Sequence, residues 1–319
     1  MSTVDPNNPT GTAGVFAVDK RGSRARWLDA SSLEEVASVE LPARPHEVAI
    51  SADHRTAYVS IYGSGVYGNN PQPGQHVVVI DIDKRQVVST LSVAPYLGPH
   101  GLALGRDGLL YVSCDASGVV AVVDPASGTV VGSIDVGTQG NHMIAMLPDG
   151  SKLYSENEDQ GRFVSVMDPT SRTRIGDVPT PEGALGLCAT ADGALVLVAD
   201  AGGPSLLVID AGTDTMVERV GLKRYTHPAQ RVRCSPDGRY VVVTADQEPL
   251  ATVMSAADLR AHTTFEVAPG PMGVAFAADG RTALVANHGS GRITVVDLAA
   301  ARPVREFALG VGVETLAYY

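Results

Sequence analysis

Three histidines stand at equivalent places in this 319-residue chain: "RPHEVAIS" at 44–51, "GPHGLALG" at 98–105 and "GNHMIAML" at 140–147. His46, His100 and His142 each open an alternating apolar stretch, two of them directly after proline. Extending the alignment brings in "ALGLCATADG" at 184, "AQRVRCSPDG" at 229, "PMGVAFAADG" at 271 and "VETLAYY" at 313. The same column then continues with Leu185, Gln230, Met272 and Glu314. Three imidazoles and a carboxylate suit a borderline divalent transition metal: zinc, manganese, iron, nickel or copper. A site with three histidine ligands keeps positions open for water or substrate, as catalytic sites do. The competing reading gives each imidazole only a hydrogen bond to the neighbouring backbone, in a non-catalytic scaffold or ligand-binding module.

The spacing of that column says what could gather it. Successive members lie 54, 42, 43, 45, 42 and 42 residues apart, the length of one four-stranded propeller blade. A second ladder of strands ends in aspartate and a small turn: "VVVIDIDKRQVV", "VAVVDPASGTVV", "VSVMDPTSRTRI", "LLVIDAGTDTMV" and "ITVVDLAAARPV". Their apolar residues are read as period-two alternation, and Asp followed by Ser, Gly or Thr suits the turn. A third ladder, from "AYVSIY" to "ALVANH", falls between the two. The N-terminal "GVFAVDK", "RARWLDA" and "EEVASVEL" make three strands without an innermost one, and "VETLAYY" supplies it. The expectation is one all-β domain over 1–319, a seven-bladed β-propeller. Its last blade is closed by N-terminal strands plus the C-terminal strand, with 1–12 a flexible leading segment. Closure of this kind removes exposed sheet edges.

"AYVSIY", "LYVSCD", "ALVANHGSGRITVVDL" and the turns "CSPDG" and "LPDG" resemble the YVTN-type seven-bladed propellers. The resemblance covers essentially the whole chain. It implies the fold and says little of function, because that family mixes enzymes, binding proteins and uncharacterised members. "RPHEV" and "GPHGL" are also similar to strand openings of streptogramin B lyases. Those enzymes and the oligogalacturonate lyases are propellers whose rim histidines serve catalysis or metal binding.

In a propeller the column is a ring at one mouth of the central channel. Glu314, His46, His100 and His142 then come from four consecutive blades and are neighbours in space, so these four are the expected metal ligands. Gln230, across the ring, is read as a substrate contact or a further weak ligand. Loops on the same side add Tyr62, Asp115, Glu158, Asp246 and His288, and "LKRYTHPAQ" adds Tyr225 and His227. His227, Tyr62 and Glu158 are the candidate acids and bases; Tyr67, Tyr225 and His288 are candidate substrate contacts. The insertion "GSGVYGNNPQPGQ" at 63–75 explains the long first interval and suits either a lid carrying Tyr67 or a plain surface excursion. The run "ENEDQ" at 156–160 reads as a solvated turn. A Lewis acid beside a base is all that lyase or isomerase chemistry on a small molecule requires.

Composition narrows the remaining classes. Gly 34 and Pro 20, with only 18% charged residues, suit many short strands. A formal net charge of −11 without a basic stripe argues against nucleic acid. The densest positive patch, "KRGSRAR" at 20–26, reads as a loop. No apolar run approaches the ~18 residues of a membrane helix, and no basic region followed by an apolar core marks a secretory signal. Cys114, Cys188 and Cys234 form an odd, widely spaced set, read as small buried hydrophobes rather than a disulfide framework. The expectation is a cytoplasmic monomer or weak homo-oligomer with no membrane or nucleic-acid partner. Phosphate-loop, nucleophile-elbow and dinucleotide fingerprints are missing.

Overall fold

The computed structural model describes residues 14–158 and 161–319, so the leading segment 1–12 and Asp159 and Gln160 of the acidic run lie outside the described residues. The described chain forms 28 strands in seven four-stranded antiparallel sheets, the seven blades of a β-propeller. Blades one to six start at Pro45, Pro99, Asn141, Ala184, Arg231 and Pro271. Blade seven joins Val313–Tyr318 to Gly14–Asp19, with Phe16 opposite Ala317. The chain ends therefore complete one sheet, as the two partial repeats predict. No helix among the described residues is long and apolar enough to cross a membrane.

Two turn devices recur because the repeat carries their residues. Asp124, Asp168, Asp210 and Asp297 each accept a backbone N–H two or three residues on, at 2.8–2.9 Å, the side-chain mimic of a turn. In "PDG", Asp149 caps Ser151 N at 2.9 Å while Gly150 takes a φ of +78°, open to glycine at little cost. The second and third strands depart from simple alternation. Ser205–Asp210 is buried at five successive positions, since a blade is covered on both faces and reads as a continuous apolar run. The core is accordingly divided among seven clusters, one per gap between blades. Trp27 fills the gap between blades seven and one, its indole N–H on Ile82 O at 3.1 Å.

Candidate functional site at the channel mouth

The innermost strands begin with a local break in register, between Pro45 and Val48, Pro99 and Leu102, and Asn141 and Ile144. Such an irregularity re-aims a side chain. It frees the amides of Glu47, Gly101 and Met143 from the ladder; they bond instead to Ser60 Oγ at 3.1 Å, Ser113 Oγ at 2.7 Å and Glu156 Oε1 at 2.9 Å. The hydroxyls also tie blade to blade. Ser60 donates to His100 O at 2.7 Å, Ser113 to His142 O at 2.6 Å and Thr315 to His46 O at 3.1 Å. The carbonyl of each histidine is thus held by the preceding blade, and its ring lies in the channel.

His46, His100 and His142 meet there, all at most 3% exposed. The His100 ring lies 3.8 Å from each of the other two, and the outer pair is 6.4 Å apart. His100 Nε2 stands 3.0 Å from His46 Nε2. Burial first, and then neighbouring positive charge, holds His46 below the ordinary imidazole range and His100 and His142 well below it. The rings are neutral, and hydrogen bonds select the tautomers. His142 Nδ1 faces Glu156 Oε1 at 2.9 Å and Glu158 Oε2 at 3.4 Å. A carboxylate can only accept, so Nδ1 carries the proton and Nε2 the lone pair. Lys20 Nζ donates to His46 Nε2 at 2.5 Å, which leaves the proton of His46 on Nδ1, 3.7 Å from Glu47.

Four residues of this site were not read from the repeats. Lys20, taken as part of a loop-like basic patch, enters the channel and pairs with Glu314 at 3.3 Å. Burial lowers its pKa, and Glu314 partly restores it. Arg231, the residue after Gln230, crosses from blade five to Glu47 of blade one at 3.3 Å and approaches Glu314 at 3.9 Å. Glu47 is buried, which by itself raises its pKa; His46, Arg231 and Arg233 nevertheless hold it below the carboxylate range. Glu156 is fully buried, not a solvated turn residue. Signals for them existed. Equivalent positions to Glu156 hold Ser60, Ser113, Ala199, Thr244 and Ala286, and those beside Glu47 and Arg231 hold Gly101, Gly186 and Gly273. A charge replacing a small residue in one repeat marks a local task.

The remaining expected residues divide. Tyr62 is buried, edge-on to His46 and His100, and donates to Asp115 Oδ2 at 2.5 Å. The loop 64–72 between the two middle strands of blade one reaches over the mouth: the Tyr67 hydroxyl donates to Gly140 O at 3.0 Å and its ring lies 4.7 Å from His142. Beneath it is a cavity of about 160 Å³ lined by Tyr62, Tyr67, Asn70, Asp115 and Gln139. His288 is half-buried near Glu314, and burial lowers its pKa. Gln230 is half-buried, its backbone N–H donating to Thr244 O at 2.8 Å. Glu314 Oε1 lies 3.8 Å from His46 Nε2, and Lys20 and Arg231 also face its carboxylate, at 3.3 and 3.9 Å. Two expectations change. Tyr225 packs in the apolar cluster between blades four and five, its hydroxyl on Val243 O at 3.3 Å, because the segment folds inward there. His227 is 52% exposed, and its partner is Glu248 at 3.3 Å.

Comparison with known proteins bears on the architecture. No protein-family model matches the chain, and no curated protein matches it in sequence. Solved structures do match in shape. Kuenenia stuttgartiensis hydrazine synthase is 19% identical with a TM-score of 0.78, over 91% of this chain and 93% of that one. A functionally unknown protein from Desulfotomaculum acetoxidans is 15% identical, TM-score 0.78, over 96% and 98%. The periplasmic gluconolactonase of Pseudomonas aeruginosa is 20% identical, TM-score 0.77, over 96% and 98%. At these identities the likeness is one of fold, and the YVTN resemblance likewise stands as a seven-bladed propeller.

Asp115 gives a prediction of its own. Burial raises its carboxyl to about 6 from 3.8, against the opposing bond from Tyr62. The folded state therefore holds a proton that the unfolded state has lost between those values. Its stabilising effect is complete below pH 3.8 and disappears as pH rises through about 6. Relative to Asp115→Asn, the native protein should lose on the order of 2 kcal/mol between pH 4 and pH 7. Urea midpoints at the two pH values check this, and parallel behaviour of the two proteins would refute it.

Proposed function

We propose that this mouth is the active site of a metal-dependent enzyme acting on a small molecule, with lyase or isomerase chemistry. The observation that carries the reading is the set of three buried, neutral imidazoles with carboxylates at Nδ1 of His142 and, more loosely, of His46. Carboxylate, imidazole and ion in series is a recurrent way to orient histidine ligands. Ligand atoms of His46, Glu47 and His100 lie within 4.8 Å of one another, as do those of His142, Glu156 and Glu158, and such nitrogen and oxygen donors suit a transition metal. Two nitrogens bound to one ion at ~2.0–2.1 Å would be about 3 Å apart, and His46 Nε2 and His100 Nε2 are separated by 3.0 Å. His46, His100 and His142 would hold the ion, and Glu47 and Glu156 would fix their rings.

An ion held by these residues would supply Lewis acidity toward a substrate carbonyl or carboxylate oxygen. The protein does the rest. Asp115, ionised above about pH 6 and steered by Tyr62, is placed at the cavity to take a proton from the substrate. Tyr67 and the 64–72 loop shield that transfer from water. Glu158 shares the proton of His142 Nδ1 and so positions that ring. A hydrolytic use of the same groups is favoured only by the likeness in fold to a gluconolactonase, so lactones belong in a substrate screen beside small hydroxy acids. Protein made without a polyhistidine tag should carry about one transition metal per chain, and a folded His100→Ala variant should lose it. Metal-free protein that takes up none of the five candidate ions at micromolar concentration would leave the scaffold reading in its place.

A further inference from the structure

The far end of the channel carries a different chemistry. Cys188 and Cys234 lie on the innermost strands of blades four and five, Ala184–Ala189 and Arg231–Cys234. They stand three and four residues beyond the ring positions Leu185 and Gln230, about 10–13 Å along the strand. Their sulfurs are 2.6 Å apart. That is well inside the ~3.5–4.0 Å of ordinary non-bonded contact between smaller carbon atoms. A cavity of about 470 Å³ opens on both, walled by Met146, Pro148 and Arg233. Cys234 also borders a second cavity of about 470 Å³ with Tyr240 and Ala256. Cys188 is 8% exposed and Cys234 half-buried, so an oxidant meets Cys234 first. Cys114, by contrast, is sealed in the cluster between blades one and two.

We infer that Cys188 and Cys234 form a reversible thiol–disulfide pair, oxidised by a low-molecular-weight disulfide, that staples blades four and five at the mouth opposite the histidines. The thiolate of Cys234 attacks the small disulfide, its S–S bond breaks, and one thiolate leaves with a proton taken from solvent. Cys188 then gives up its proton and attacks the sulfur of Cys234, expelling the second small thiol. Two protein thiols and one small disulfide become one protein disulfide and two small thiols. The bond closes a loop of forty-odd residues, a length at which cross-linking restricts the unfolded chain appreciably. It also fixes the short strand that carries Arg231 and Arg233.

The test uses the full chain, reduced and then equilibrated with oxidised glutathione. Intact mass should fall by two hydrogens. After denaturation Cys114 alone should alkylate, and Tm should rise on the order of 5 °C. Cys188→Ser should abolish the rise and accumulate a mixed disulfide on Cys234, while Cys114→Ser should behave as the native chain. A stable glutathione adduct on Cys234 of the native chain, or two free thiols at these positions in every buffer, would overturn the inference.

Discussion

Arg231→Ala should lower folding stability by about 3–5 kcal/mol, the cost of leaving a buried carboxylate without its counter-ion. Arg231 is 3% exposed and Glu47 also 3%, and they join blades one and five through the channel at 3.3 Å. Removing the guanidinium leaves Glu47 with His46, a looser Arg233 at 3.7 Å and Thr315 at 3.5 Å. It also takes one cation from Glu314. The pair itself is worth less than its breakage, because both charges were desolvated to make it. Arg231→Met combined with Glu47→Gln should therefore recover most of the loss. The acid dependence follows from the sign. Glu47 is held below its ordinary 4.5, so its contribution is present above that value and lost as pH falls below the carboxylate range. Urea denaturation of Arg231→Ala and of the double variant decides the matter. A single-variant loss under 1 kcal/mol, or a double variant no better than the single, would refute this coupling.

The architecture was legible because a repeat states it seven times. Most copies repeat the turn aspartate and, after the long first interval, the low-forties spacing, so degenerate copies such as "ATVMSAADLRAH" are placed by their neighbours. The histidine column was legible for the same reason. What repeats cannot show is the exception. Glu156 is one residue in a column of Ser, Ala and Thr, and Lys20 follows the first strand of the only blade built from both chain ends. Lys20 reaches His46 and Glu314 through closure, across 26 and 294 residues of sequence. Tyr225 and His227 are expected at the rim only because their loop leads into a ring position, and a segment outside any strand carries no periodicity to report where its side chains point.

Opposite effects on ion affinity are expected from two neighbouring substitutions, and they separate the imidazole set from the wider ring. Glu156→Gln keeps an oxygen for Met143 N and the His142 Nδ1 proton, at 2.9 Å each, so the strand should fold as before. It removes the charge that makes His142 a better donor at Nε2, and affinity for a bound transition metal should fall 10–100-fold. Lys20→Met acts the other way. Its ammonium occupies the His46 Nε2 lone pair at 2.5 Å, and a ligand nitrogen cannot serve a proton donor and a metal at once. Freed of that competitor, the site should bind at least tenfold more tightly, about 1.4 kcal/mol. Glu314→Gln should move affinity far less than Glu156→Gln, since Lys20 and Arg231 already compensate that carboxylate. Competition titrations with a chromogenic chelator would measure all three. If Glu314→Gln abolished binding while Glu156→Gln and Lys20→Met left it unchanged, the ion would belong to the Glu314 side of the ring, and the roles given to Glu156 and Lys20 would fall together.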